Sequence, residues 1–327
     1  MSADGSELGT DDGRLAGLRE MIPATGAGIY LDTATRGPLP AETAAAMRQA
    51  DDWELTVGRA WEGRPEDVVQ RDAEARAVLA ALIGGDPEEI VLSHGQADGL
   101  RLARQQLGEA AELRHLVDPA NGSVALRSAA HRAGRPLIVE ATYAAGAAPL
   151  AVNELAADAF VFAADRWLLG PDGTGAVWFA DRQVAAAAER REMGRTALVG
   201  LARSVGWLEM YVGLEWLHGR TAALAGRLHA ALAGQPGIEL LCPRESVAAI
   251  VSFRLPGWPV EEAADELSRR VHALVGTLPA AAVMRASVAW FNTEDEIDRF
   301  AAAVVELGRH TPASLPRRPP IVVLSDH

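Results

Sequence analysis

Residues 158–179 read DAFVFAADRWLLGPDGTGAVWF, and this stretch decides the fold. AFVFA and GAVWF are short apolar runs rich in β-branched and aromatic residues, the composition of strands buried on both faces. Between them Gly170, Pro171 and Gly173 break any regular period. The stretch therefore reads as a strand over 159–163, a turn, and a strand over 175–179. Working outward, LIVE at 137–140 reads as another strand. Residues 113–117 read as a further one, interrupted by Arg114 and His115. Residues 90–103, IVLSHGQADGLRLA, read as strand, turn and helix, the helix running over 97–106. Helical periodicity covers 14–21, 41–53 and 66–83, the last closed by Gly84-Gly85. Residues 29–31 are a short extended piece. Downstream, 196–233 is helical as one helix or two. Strands follow at 240–241 and 248–255, a helix at 260–274, a strand at 285–290 and a helix at 293–308. That last helix opens on Glu294, Asp295 and Glu296. Short strands alternating with helices imply an α/β fold with a mostly parallel sheet covered on both faces. A smaller α+β domain follows it.

The 327 residues are 49% hydrophobic, enough for a large core, and carry a net charge of −13 at pH 7. An acidic chain without a basic stripe is a poor nucleic-acid or membrane-surface binder. No apolar run reaches the roughly 18 residues that span a bilayer. The acidic N-terminus is no signal peptide, and a single cysteine excludes an internal disulfide. A cytoplasmic protein is expected. The eight histidines show no paired ligand spacing, so no metal is expected. Every basic side chain counted as Lys or Arg is arginine: the chain contains no lysine.

Four segments resemble class V aminotransferases, the family that includes cysteine desulfurases and isopenicillin-epimerase-like proteins. Residues 29–40, IYLDTATRGPLP, resemble its N-terminal YLDNAA-type segment. Residues 90–103 resemble the strand–turn–helix that holds the phosphate of pyridoxal phosphate (PLP). Residues 158–179 resemble the cofactor-lysine segment, and residues 285–300, RASVAWFNTEDEIDRF, the family's C-terminal R-x-S…NTEEEIDRF. The resemblance implies the PLP-dependent transferase type I fold. Its domains would be a disordered N-terminus over 1–13 and a helix in 14–29 packing on the small domain. A large α/β domain would span 30–205, shortened in its middle, a small α+β domain 206–310, and a proline-rich tail 311–327.

The family's chemistry does not carry over residue by residue. The resemblance puts Arg166 where the Schiff-base lysine belongs, and a guanidinium does not form an imine. Ala97, Ala163 and Asp165 stand where the phosphate is held by hydroxyl and imidazole donors. The amides from Gln96 onward remain as a generic anion site at a helix N-terminus. Glu140 matches the aspartate that pairs with the ring nitrogen, and Tyr143 its neighbour. Residues 108–136 look too short to bring a stacking residue to the ring. Arg285 matches the arginine that binds a substrate carboxylate. Residues 276–284 contain no cysteine, so the desulfurase nucleophile is absent and Cys242 reads as core.

Glu140, Tyr143, Asp165, Arg166 and His94 are the catalytic candidates, and Arg285 the substrate-binding one. Arg166 has a plainer reading as a structural ion pair with Asp165 or Glu140, Arg285 as an ion pair, and His94 as a helix cap. An ordinary PLP aminotransferase or desulfurase is not expected, and neither is a bound cofactor. The leading expectation is a PLP-independent homologue acting as a binding or scaffold protein. The alternatives are a repurposed cleft acting on a carboxylate-bearing small molecule, and PLP or pyridoxamine phosphate held non-covalently. Either a homodimer or a heterodimer with an active relative is expected, with the aromatic stretch around Trp207 and Trp216 as its interface.

Overall fold

The computed structural model of the chain describes residues 6–124 and 134–316. Its first sheet has the order β2-β6-β5-β4-β3, formed by β2 (Ile90–Ser93), β3 (Glu112–His115), β4 (Leu137–Glu140), β5 (Ala159–Ala163) and β6 (Gly175–Phe179). β3, β4 and β5 run parallel. β6 runs antiparallel to both β5 and β2, so β2 shares the direction of β5. The carboxyl ends of β2, β3, β4 and β5 thus meet along one edge. That is where ligands sit in open α/β sheets.

Side-chain alternation covers both faces of this sheet. Val91, Ile138, Val161, Val177 and Phe179 pack against Leu102 and Ala103 of α4 (Gly95–Leu107). Ile90, Leu92, Val139, Phe160 and Phe162 pack against α3 (Arg64–Ile83) and α6 (Arg195–Trp207). α2 (Ala41–Val57) lies against α6 on the outside.

The second sheet has the order β1-β9-β10-β8-β7. Its strands are β1 (Ile29–Leu31), β7 (Glu239–Leu240), β8 (Ile250–Arg254), β9 (Ala273–Leu278) and β10 (Val283–Ser287). α7 (Leu214–Leu232), α8 (Val260–Val271) and α9 (Glu294–Gly308) bury Leu228, Leu267 and Phe300 on one of its faces. α9 starts on a capping box: Glu296 N donates to Thr293 Oγ1 at 3.1 Å, and Thr293 N to Glu296 Oε2 at 3.1 Å. The far carboxylate oxygen of Glu296 meets Arg19 of α1 (Ser6–Glu20) at 2.6 Å.

Several sequence expectations change here. The first helix starts at Ser6, well before residue 14. β1 joins the second sheet, pairing with β9, and is no part of the first sheet, with which the sequence reading grouped it. The helix expected over 260–274 stops at Val271, because His272 takes a left-handed conformation (φ 55°). The apolar residues behind it form β9, a strand the sequence reading placed in a helix and a loop. The helical stretch over 196–233 divides at a π-helical turn, Leu208–Val212. Trp207 turns inward: its ring packs 5.9 Å from that of Trp290, which also meets Trp216 at 6.0 Å and Phe291 at 5.6 Å. Trp207 and Leu208 are therefore core, while the large apolar side chains of Met210 and Tyr211 are mostly exposed. The tail beyond residue 316 lies outside the described residues, as do 1–5 and 125–133. Among the described residues no helix is long and apolar enough to cross a membrane.

Two substitutions test this architecture. Trp290→Ala removes the centre of the aromatic cluster and should destabilise the protein by about 3–5 kcal/mol. Thr293→Ala removes the cap of α9 and should cost about 1 kcal/mol. Both are read from urea unfolding followed by tryptophan fluorescence and circular dichroism. A Trp290→Ala midpoint equal to that of the parent would contradict the buried cluster.

Candidate functional site

The edge formed by the ends of β2 to β5 gathers the candidate residues. β3 ends on His115 and β4 on Glu140, directly paired across the two strands. Glu140 is fully buried, yet its carboxylate is well held. Oε2 lies 3.0 Å from His115 Nδ1, and Oε1 accepts the Thr142 amide at 2.8 Å. Thr142 Oγ1 in turn accepts the Ala163 amide at the end of β5, at 3.2 Å.

After β5 the chain turns through Asp165 and Arg166. Asp165 is buried between two guanidiniums, Arg36 at 3.2 Å and Arg166 at 3.3 Å. Arg166 also donates to the Thr35 carbonyl. Burial lowers the Arg166 pKa, and the like charges of Arg36 and Arg285 act the same way against Asp165 and Tyr143. Gly37 lies flat on this turn: its amide donates to the Asp165 carbonyl at 2.9 Å. A Cβ there would stand 1.9 Å from the Arg166 carbonyl oxygen, so only glycine fits. Trp167 donates its indole N–H to the Val288 carbonyl at 3.0 Å, which binds the turn to the end of β10.

Arg285, on β10, reaches into the same cleft and is buried. It donates to the Pro119 carbonyl at 3.0 Å and lies over the Tyr143 ring, 5.6 Å from its centroid. Its Nε has no hydrogen-bond partner among the described residues. Asp32 stands nearby. Burial pushes its carboxyl above the usual carboxylate range, against the pull of Thr35, Arg285 and Arg166.

The turn after β2 is arranged otherwise. His94 is exposed and makes no side-chain cap. Instead Asp98 Oδ2 accepts the His94 amide at 3.0 Å and pairs with Arg191 at 3.2 Å. Burial works against the Asp98 carboxylate, but that amide and Arg191 outweigh it and hold its pKa below the usual range. The capping role foreseen for His94 belongs to Asp98. Gln96 is partly buried and Ala97 exposed beside it.

The structure thus brings Tyr143, Asp165, Arg166 and Arg285 together, and ties Glu140 to His115 instead of to Arg166. Of the two ion-pair partners the sequence offered Arg166, Asp165 and Glu140, the structure gives Asp165. Sequence reasoning missed His115, Thr142 and Asp32. His115 left one signal, a polar interruption at a strand end; Asp32 left none beyond its place in residues 29–40. Cys242 is buried, and burial raises its thiol pKa. Among the described residues no group of three or more His, Cys, Asp or Glu could hold a metal.

No family model matches the chain. It is 26% identical over 271 residues to isopenicillin N epimerase of Streptomyces clavuligerus, covering 71% of this chain and 67% of that protein. The chain thus matches about two thirds of the length of that curated relative. Among solved structures it superposes on apo cysteine desulfurase from Thermococcus onnurineus with a TM-score of 0.75, at 18% identity, covering 90% of this chain and 98% of that one. It also superposes on a lysine-to-alanine mutant of C-DES that has glycine covalently linked to its PLP cofactor. There the TM-score is 0.72 at 15% identity, covering 88% of this chain and 98% of that one.

That mutant corrects the expectation of a fold without cofactor. That lysine-to-alanine mutant still carries PLP, linked to glycine, so a missing lysine is no ground for leaving PLP out. PLP is the cofactor the fold implies. The residues of this chain fit it only in a form not bonded to the protein. The buried Glu140 carboxylate suits a ring nitrogen and the α4 amides suit an anion, while no side chain here can form the imine. The chain has the PLP-dependent class V aminotransferase and cysteine desulfurase fold.

Proposed function

We propose that the chain is a binding protein for small carboxylates, built on the aminotransferase fold, in which no internal imine forms. One observation carries this reading. The place the resemblance gives to the cofactor lysine is Arg166, whose guanidinium pairs with Asp165 and donates to the Thr35 carbonyl, in a chain that has no lysine. Arg285 takes the ligand's carboxylate. Its free Nε and the flat Tyr143 ring beneath it prepare the planar fork that carboxylates prefer. Asp165 is shared by two arginines. Glu140 and His115 form a carboxylate–imidazole contact at this edge. A PLP-type cofactor, when bound, supplies an electron sink to an amino acid; here Glu140 would face its ring nitrogen and the α4 amides its phosphate. The protein acts in the cytoplasm as a homodimer. Met210 and Tyr211, 78% and 62% exposed on the π-turn, support an interface there.

Calorimetric titration with propionate and pyruvate should show saturable binding that Arg285→Met weakens by roughly tenfold or more. Full affinity in that variant would refute the role of Arg285. Incubation with PLP, borohydride reduction and peptide mass mapping should find no internal adduct; one between residues 6 and 316 would refute the absence of an imine. Sedimentation should give a dimer that Tyr211→Asp weakens.

A further inference from the structure

Alternation along β10 sorts its side chains into two sets. Met284, Ala286 and Val288 belong to the apolar cluster beneath α7, α8 and α9. Arg285 and Ser287 occupy the opposite face. That face looks toward the large domain, since Ile250, paired with Ser287, belongs to the large domain's core. The register brings more polar residues to it. Arg285 stands opposite Ser252 of β8 and Gly276 of β9, and Ser287 bridges to Asp32. Directly opposed residues share a face. One side of the small sheet therefore gathers Asp32, Ser252, Gly276, Arg285 and Ser287.

This face has unmet hydrogen-bonding capacity. Ser252 and Ser287 are fully buried and Arg285 is 6% exposed. Asp32 Oδ1, Ser252 Oγ, Arg285 Nε and Ser287 Oγ all lack a hydrogen-bond partner among the described residues. Buried polar atoms are nearly always satisfied, so four on one face leave capacity for a polar molecule or ordered water. Gly276 has a part in this. A Cβ there would lie 2.4 Å from Asp32 Oδ1, so the missing side chain leaves the carboxylate its place. The result is an anion and a cation, each incompletely paired, with two hydroxyls beside them.

We propose that this face is a zwitterion site: Arg285 takes the carboxylate of an amino acid, Asp32 takes its ammonium group, and Ser252 and Ser287 complete the hydrogen bonding. The inference rests on the reading of Arg285 as a carboxylate site and deepens it. The ammonium group is held as a charged partner and is not consumed in an imine. Such a partner offsets the desolvation of the Asp32 carboxylate. Ordered water could satisfy the same four atoms, and the test separates the two occupants.

The test is calorimetry on the full chain with L-alanine and propionate, which differ by the ammonium group. L-alanine should bind about tenfold more tightly or better, as a charge-assisted hydrogen bond would give. Asp32→Asn, which keeps the shape, should bring the alanine-to-propionate ratio close to unity. Gly276→Ala should do the same by displacing the carboxylate; thermal melts establish that both variants are folded. If neither compound binds, the carboxylate reading of Arg285 fails and this site with it. If propionate binds and L-alanine gains nothing, water fills the face and the zwitterion site alone fails. An alanine preference that survives both substitutions would also overturn it.

Discussion

The hydrogen bond from the Trp167 indole to the Val288 carbonyl holds the two halves of the molecule in register. Trp167 follows Arg166 on the turn after β5, and Val288 follows β10, which carries Arg285. One buried bond between them fixes how the turn of the first sheet faces the polar side of the second. The next residues tighten the joint. Ser204 Oγ lies 2.8 and 2.7 Å from the carbonyl oxygens of Leu168 and Leu169, and Leu169 takes a left-handed backbone (φ 54°). A leucine in that region is uncommon and is held there by its surroundings. The cleft is therefore a product of packing between the two sheets, and no segment of the chain contains it alone.

Legibility in the sequence followed the range of the interactions. β4, β5 and β6 were readable because a strand buried on both faces is a continuous apolar run with turn residues at its ends. The cap of α9 was readable because acidic residues crowd its first turn. What escaped depends on distant partners. β9 hides behind α8, where His272 reverses the chain without a glycine to announce it. β1 looks like any short extended piece, and only pairing with β9 assigns it to the second sheet. The His115–Glu140 contact needs the register of two strands 25 positions apart. Trp207 faces the core and Tyr211 the solvent, and composition does not tell which way a helix faces. Asp32 stayed invisible for the same reason: nothing local signals that a glycine on another strand makes room for it.

The arginine-only basic set shapes the rest of the molecule as well. Guanidinium forks recur at joints between elements: Arg220 meets both oxygens of Glu294 at 2.9 and 3.1 Å, and Arg227 both oxygens of Asp298 at 2.6 Å. Exposed pairs of this kind contribute little each. Their value lies in direction, since a planar fork fixes the angle of approach where an ammonium would not. Within the cleft the same property works in reverse. Arg166 is too well oriented toward Asp165 and Thr35 to serve as a mobile reactive group.

The alternation of β10 has a consequence for how this protein can change over generations. Point substitutions on either face alter one contact at a time, but a single-codon deletion inside the strand would exchange the two faces for every residue beyond it. Arg285 or Ser287 would enter the apolar layer, and a hydrophobic side chain would enter the cleft. The 279–282 turn between β9 and β10 is mostly exposed and bears no such alternation. Insertions and deletions accumulated by this lineage should therefore gather in that turn, with the length of β10 left unchanged.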